Sequence, residues 1–191
     1  MQSLYYFVVE PVDGKRYTNT RSYGDKEFII STSQEDHTVT NRLAEVVNVP
    51  FGYGGPIAIG DHVIVHHNVF RKMFDMRGKE IDSYSFIREN LYYLDDMQLY
   101  AYKHPGEDWE PVGRYCFVEP IKEEKDTIIA KKGANVALWG SMVYPNDRLR
   151  ELGVSRGDVI SFQPDSEYEF RIDDRILYRM YDSNICLKQG S

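Results

Sequence analysis

Apolar residues in this chain fall in short runs separated by Gly, Pro and Asp, the spacing expected of strands joined by tight turns. Leu4 to Val12 is dense in strand formers, reaches Pro11 and is followed by the turn signal Asp13-Gly14. Lys15 to Glu27 is polar, with neither a period of two nor one of 3.6, and reads as a mobile loop. One apolar island, Phe28-Ile29-Ile30, breaks that polarity before Ser31 to Thr40 resumes it. Leu43 to Val49 predicts a buried strand ended by Pro50. Phe51 to Pro56 is a turn-rich tip, and Ile57 to Val65 holds a Gly60-Asp61 turn and a further strand.

Beyond Asn68 the alternation around Met76-Arg77-Gly78 suggests a hairpin within Asn68–Phe86. Ile87, Leu91, Leu94 and Gln98 could mark a helical face, so a helix over Ile87–Tyr100 competes with strands there. His104 to Gly113 carries Pro105, Gly106, Pro111 and several acids and reads as a linker, with Trp109 packing on one neighbour. Asn146 to Leu152 has room for one helical turn.

The runs repeat. Phe7-Val8-Val9-Glu10-Pro11-Val12 returns as Cys116-Phe117-Val118-Glu119-Pro120-Ile121. Ala44-Glu45-Val46-Val47 is matched to Ala134-Asn135-Val136-Ala137, and Gly60-Asp61-His62-Val63-Ile64-Val65 to Gly157-Asp158-Val159-Ile160-Ser161-Phe162. Arg175-Ile176-Leu177-Tyr178 echoes Asn90-Leu91-Tyr92-Tyr93, which favours strand over helix in that region. Ordered landmarks found twice indicate an internal duplication of one β-rich unit. The expected domains are 1–103 and 114–191, joined by a linker at 104–113. The first carries a long loop (about 13–42) and an extra hairpin (about 68–86); the second carries a shortened loop.

Composition changes this picture little. Aromatic residues make up 14% of the chain, including 15 Tyr and 9 Phe, which suits strands. A net charge of −7 disfavours nucleic acid or an anionic membrane as partner. No apolar run is long enough to span a bilayer, and the first residues show no signal or presequence pattern, so a cytoplasmic protein is expected. Cys116 and Cys186 lie in apolar runs and read as two buried thiols.

Candidate chemistry is thin. His62, His66 and His67 invite a metal. On one strand, however, His66 and His67 would face opposite ways, and His62 would lie about 13 Å from His66. Asp61 and Asp158 each follow Gly and are read as turn caps. Glu10 and Glu119 precede Pro and read as solvated or paired. No phosphate-binding loop, nucleophile elbow or Cys-x-x-Cys motif occurs, so the chain reads as no enzyme and no cofactor or metal is expected.

The order of landmarks resembles the GroES-type co-chaperonin family. It runs strand-Pro, a long loop carrying three apolar residues, strand, excursion, Gly-Asp-strand, and a closing hairpin. Copy two carries the body of this pattern in Gly157–Phe162, Phe170–Tyr178 and Asp182–Leu187. Copy one carries the loop, with Glu27-Phe28-Ile29-Ile30-Ser31 where the family places its apolar tripeptide. The resemblance implies an all-β fold of two tandem GroES-like irregular β-barrels in a homo-oligomeric ring. Such a ring is a lid that binds a GroEL-type chaperonin through Phe28, Ile29 and Ile30, serving unfolded clients indirectly while the partner hydrolyses ATP. Copy two offers only Thr127-Ile128-Ile129 as a second tripeptide, close to its flanking strands. That asymmetry keeps a rival open: a structural or assembly protein of the same fold, for instance a viral accessory component, without chaperonin binding. A further rival makes Phe28-Ile29-Ile30 an ordinary strand paired within its own domain.

Overall fold

The computed structural model describes residues 2–17, 20–23, 26–29, 40–121, 138–172 and 175–190, with only the backbone described at 20–23 and 26–29. Among these the chain is mostly β and its sheets are antiparallel. It divides into two compact units, Met1–Trp109 and Glu110–Ser191.

The first unit contains β1 (Phe7–Pro11), β2 (Thr20–Tyr23), β3 (Lys26–Ile29), β4 (Leu43–Asn48), β5 (His62–Val65), β6 (Met73–Phe74), β7 (Glu80–Ile81), β8 (Phe86–Arg88), β9 (Leu91–Leu94) and β10 (Leu99–Lys103). The second contains β11 (Glu110–Pro111), β12 (Tyr115–Pro120), β13 (Trp139–Tyr144), α1 (Asp147–Glu151), β14 (Val159–Phe162), β15 (Tyr168–Ile172), β16 (Arg175–Tyr181) and β17 (Ile185–Lys188). Strands, not a helix, occupy most of Ile87–Tyr100. A two-stranded hairpin, β6 on β7, lies inside 68–86.

Strand order is the same in both units: β10-β5-β4-β1-β9-β8 in the first and β17-β14-β13-β12-β16-β15 in the second. The likeness extends to single bonds. Val46 N–H donates to Asp61 O and Gly60 N–H to Val46 O; Met142 N–H donates to Asp158 O and Gly157 N–H to Met142 O. Gly60 and Gly157 both take φ +89°, a left-handed conformation that L side chains rarely adopt. The aspartates after them cap the turn as expected. Ala58 N–H donates to Asp61 Oδ2 and Ser155 N–H to Asp158 Oδ2, each at 2.7 Å.

Register corrects two of the sequence matches. Pro11 pairs with Ala44 and Pro120 with Gly140, and both ladders slip by a bulge just before Val9 and Val118. The counterpart of Ala44–Val47 is therefore Gly140–Val143. The residues matched from sequence, Ala134–Ala137, lie outside the described residues. Alternating small and branched residues recur too often for a four-residue match to set register, whereas ladder hydrogen bonds set it uniquely. In the same way Phe7 pairs with Leu94 where Cys116 pairs with Met180. Leu177-Tyr178 thus answers to Leu91-Tyr92, one residue from the sequence match. The segments entering β4 and β13 compare as 12–43 and 121–139, so copy two is shortened by less than the sequence match implies.

The cores follow from alternation. Val9, Val46, Val63, Val65, Tyr92 and Leu94 are buried in the first unit. The second packs Cys116, Val118, Met142, Leu149, Val154, Ile160, Phe162 and Met180 together. Burial pushes the Cys116 thiol up to about 12. Cys186 is exposed, against expectation. It lies on β17, a strand at the edge of its sheet where Leu187 is exposed as well, so an apolar run does not there imply burial. No helix among the described residues is long and apolar enough to cross a membrane.

Candidate partner-binding arm and its root

The segment read as a loop holds a ribbon. Thr20 pairs with Ile29, Arg21 with Phe28, Ser22 with Glu27 and Tyr23 with Lys26. This β2-β3 pair forms a two-stranded sheet of its own, separate from the main sheet of the first unit. Phe28 and Ile29 thus lie on β3, while Ile30 is outside the described residues, as are Thr127, Ile128 and Ile129. The missed signal was Gly24-Asp25, a two-residue turn sequence between runs able to form strands. Polarity concealed it, because a ribbon that pairs only with itself needs no alternating apolar face.

The arm leaves and re-enters the body through a narrow root. Tyr17 and Thr40 form an isolated antiparallel bridge, and Asn41 N–H donates to Arg16 O at 2.9 Å. Asn41, 5% exposed, closes the root from within. Its Nδ2 donates to Val12 O (3.2 Å) and Lys15 O (2.8 Å), and its Oδ1 accepts from Leu43 N–H (2.9 Å). A buried amide that satisfies three backbone groups fixes the crossing strands more firmly than apolar contact alone.

Arg16 ties the root to the segment before β6. Its Nε donates to Phe70 O at 3.0 Å, its Nη1 pairs with Asp82 at 2.6 Å, and its Cζ lies 5.4 Å from the Tyr92 ring. Phe70 meets Tyr92 edge-on at 4.8 Å. Burial raises the Tyr92 phenol pKa, and the Arg16 charge opposes that shift. Lys72 N–H donates to Tyr17 Oη at 2.8 Å, and Lys72 Nζ pairs with Glu80 across the hairpin. The segment at 68–86, which had no assigned purpose in the sequence reading, buttresses the base of the arm.

His62, His66 and His67 do not gather into a metal-capable group with other described side chains. β5 ends at Val65, so the alternation assumed from sequence stops there; the His66 and His67 rings lie 4.1 Å apart instead of facing opposite ways. His66 Nδ1 accepts from Asn68 N–H at 3.0 Å. No cluster of three or more metal-capable side chains occurs among the described residues. Glu119 is paired, with its Oε2 2.6 Å from Arg175 Nη2. Trp109 is buried, with Lys103 Nζ 4.9 Å from the ring centroid.

No family model matches this chain, and no curated protein sequence matches it.

Proposed function

We propose that this chain is a tandem co-chaperonin-like lid, two GroES-like barrels in a ring that caps a chaperonin through Phe28, Ile29 and Ile30. One observation carries the reading. The apolar Phe28 and Ile29 lie on a ribbon that forms its own sheet, carried on a root tied by Tyr17, Thr40 and Asn41. The same-order duplication of the two units supports the tandem form.

The energetics suit a lid that comes and goes. Full burial of three such side chains yields at most roughly 5–9 kcal/mol. Each residue that is fixed only on binding takes back about 1–2 kcal/mol. A single arm therefore binds weakly. Several arms on one ring raise avidity by about 10²–10⁴ without new contacts. Catalysis stays with the partner.

The test is a pull-down on a GroEL-type chaperonin ring with ATP or ADP, comparing the natural chain with a Phe28→Ser/Ile29→Ser variant. A nucleotide-dependent complex lost in the variant is expected. Absence of any such complex with the natural chain removes the lid reading and leaves the structural or assembly role.

A further inference from the structure

Just before β1 the first unit exposes an apolar patch that has no counterpart in the second. Ser3 bridges to Pro50, and Phe51 N–H donates to Ser3 O at 2.9 Å, which brings Leu4 and Phe51 together as the next residue on each segment. Ser3 N–H donates to Asn48 Oδ1, and Ser3 Oγ to Tyr6 O, so 3–6 is a tight turn with Leu4 and Tyr5 at its tip. The Tyr6 ring continues the patch to Tyr93, 5.3 Å away. Leu4 is 64%, Tyr5 80% and Phe51 75% exposed.

The duplicated unit shows that the fold does not require this. By strand register, Tyr5 answers to Arg114 and Phe51 to Asp147. Those side chains face solvent as well, at 67% and 93%. The same two positions are thus charged in one unit and aromatic in the other. Clustered apolar exposure, where the fold accepts charge, marks a contact surface.

Charge selects the occupant. No Asp, Glu, Lys or Arg occurs in 2–9 or 46–60, although 28% of the chain is charged. A patch without charge offers nothing to attract an acidic or basic partner. It suits a second copy of this chain, whose net charge of −7 repels its like wherever charged surfaces meet. Size agrees. Three aromatic rings and Leu4 present on the order of 500 Å², and a stable contact buries about 800 Å² on each partner. The patch supplies the apolar centre of such a contact, with its polar surround as the rim.

We propose that two copies of the chain pair about a two-fold axis through Leu4, Tyr5, Tyr6 and Phe51. In such a closed contact each patch meets its own image. Tyr5 and Phe51 are the anchors. The pairing uses neither the arm nor a chaperonin, so its failure and the failure of the lid reading are separate results.

Sedimentation equilibrium of the full chain over roughly 1–100 μM is the experiment. The mass of the basic assembly, single chain or ring, should double across that range. Phe51→Asp and Tyr5→Arg, changes to residue types that the second unit carries, should each weaken pairing about tenfold or more. Met76→Ser, at an exposed apolar position on the 68–86 hairpin, should leave it unchanged. Added salt should strengthen pairing by screening the net charge. Should one variant lose its folded circular-dichroism spectrum, the other carries the comparison. A mass that does not double overturns the proposal, as does pairing that weakens in salt or survives both substitutions in folded protein. Patch-dependent flotation of an undoubled chain with neutral phosphatidylcholine vesicles overturns it too, and assigns the surface to lipid.

Discussion

Equivalent positions in the two units solve one problem with different chemistry, and pH separates the solutions. The turn aspartate Asp61 is paired with His104 Nδ1 at 2.8 Å, and Asp158 with Lys188 Nζ at 2.7 Å. The hydrogen bond to Asp61 raises the His104 pKa above 6.5. Its contribution to stability is therefore complete below that value and is lost as pH rises through the folded pKa. The hydrogen bond from Lys188, with that from the Ser155 amide, lowers the Asp158 pKa below 3.8. That contribution is complete above 3.8 and is lost as pH falls through the folded value. Thermal unfolding followed from about pH 5.5 to 8.5 should show a decline in the first unit that His104→Gln flattens. Lys188→Met should leave that window unchanged and flatten only the acid limb. An unaltered profile in both variants would show that neither pair is linked to folding. From sequence, Asp61 and Asp158 were legible as caps because Gly precedes each. Their partners were not, since His104 and Lys188 reach them only across the ladder.

Ladders also explain which small residues are forced. Gly140 stands where the first unit has Ala44. A Cβ on Gly140 would lie 2.3 Å from Val118 Cγ1 and 2.8 Å from Glu119 O. Gly140→Ala should thus destabilise the second unit by about 1–3 kcal/mol, read as a shift in urea midpoint, although an alanine is fully buried at the equivalent site. A midpoint within error of the natural chain would contradict that packing. Strand existence was readable from branched and aromatic runs, and the single turn of α1 from Asn146, whose Oδ1 accepts from Leu149 N–H at 3.0 Å. The β2-β3 ribbon was not legible, because Thr20 to Tyr23 is polar and shows no alternation. Nor was the match of Ala44 to Gly140, for which composition offered a more similar but wrong quartet.

At the level of the entire chain, the β2-β3 ribbon forms a sheet apart from the main sheet of its unit. β1 and β4 pair through Pro11 and Ala44, and the root bonds of Asn41 lie on the body side of the Tyr17–Thr40 bridge. Replacing residues 18–39 by Asn-Gly, a turn suited to two antiparallel neighbours, should leave the thermal midpoint nearly unchanged and abolish capture by a chaperonin ring. A large fall in the midpoint would mean that the arm is part of the core, and the lid reading would lose its physical basis.

Sequence alone determined that two β-rich units follow one another, that a Gly-Asp turn leads into a strand in each, and that an apolar triplet sits in a polar stretch. Those features are local: they depend on side-chain type and on neighbours a few residues away. Register, the equivalence of Gly140 with Ala44, the exposure of Cys186, and the meeting of Arg16 with Phe70, Asp82 and Tyr92 were decided by tertiary structure. Each depends on hydrogen bonds between segments tens of residues apart, and no local pattern encodes which donors will meet.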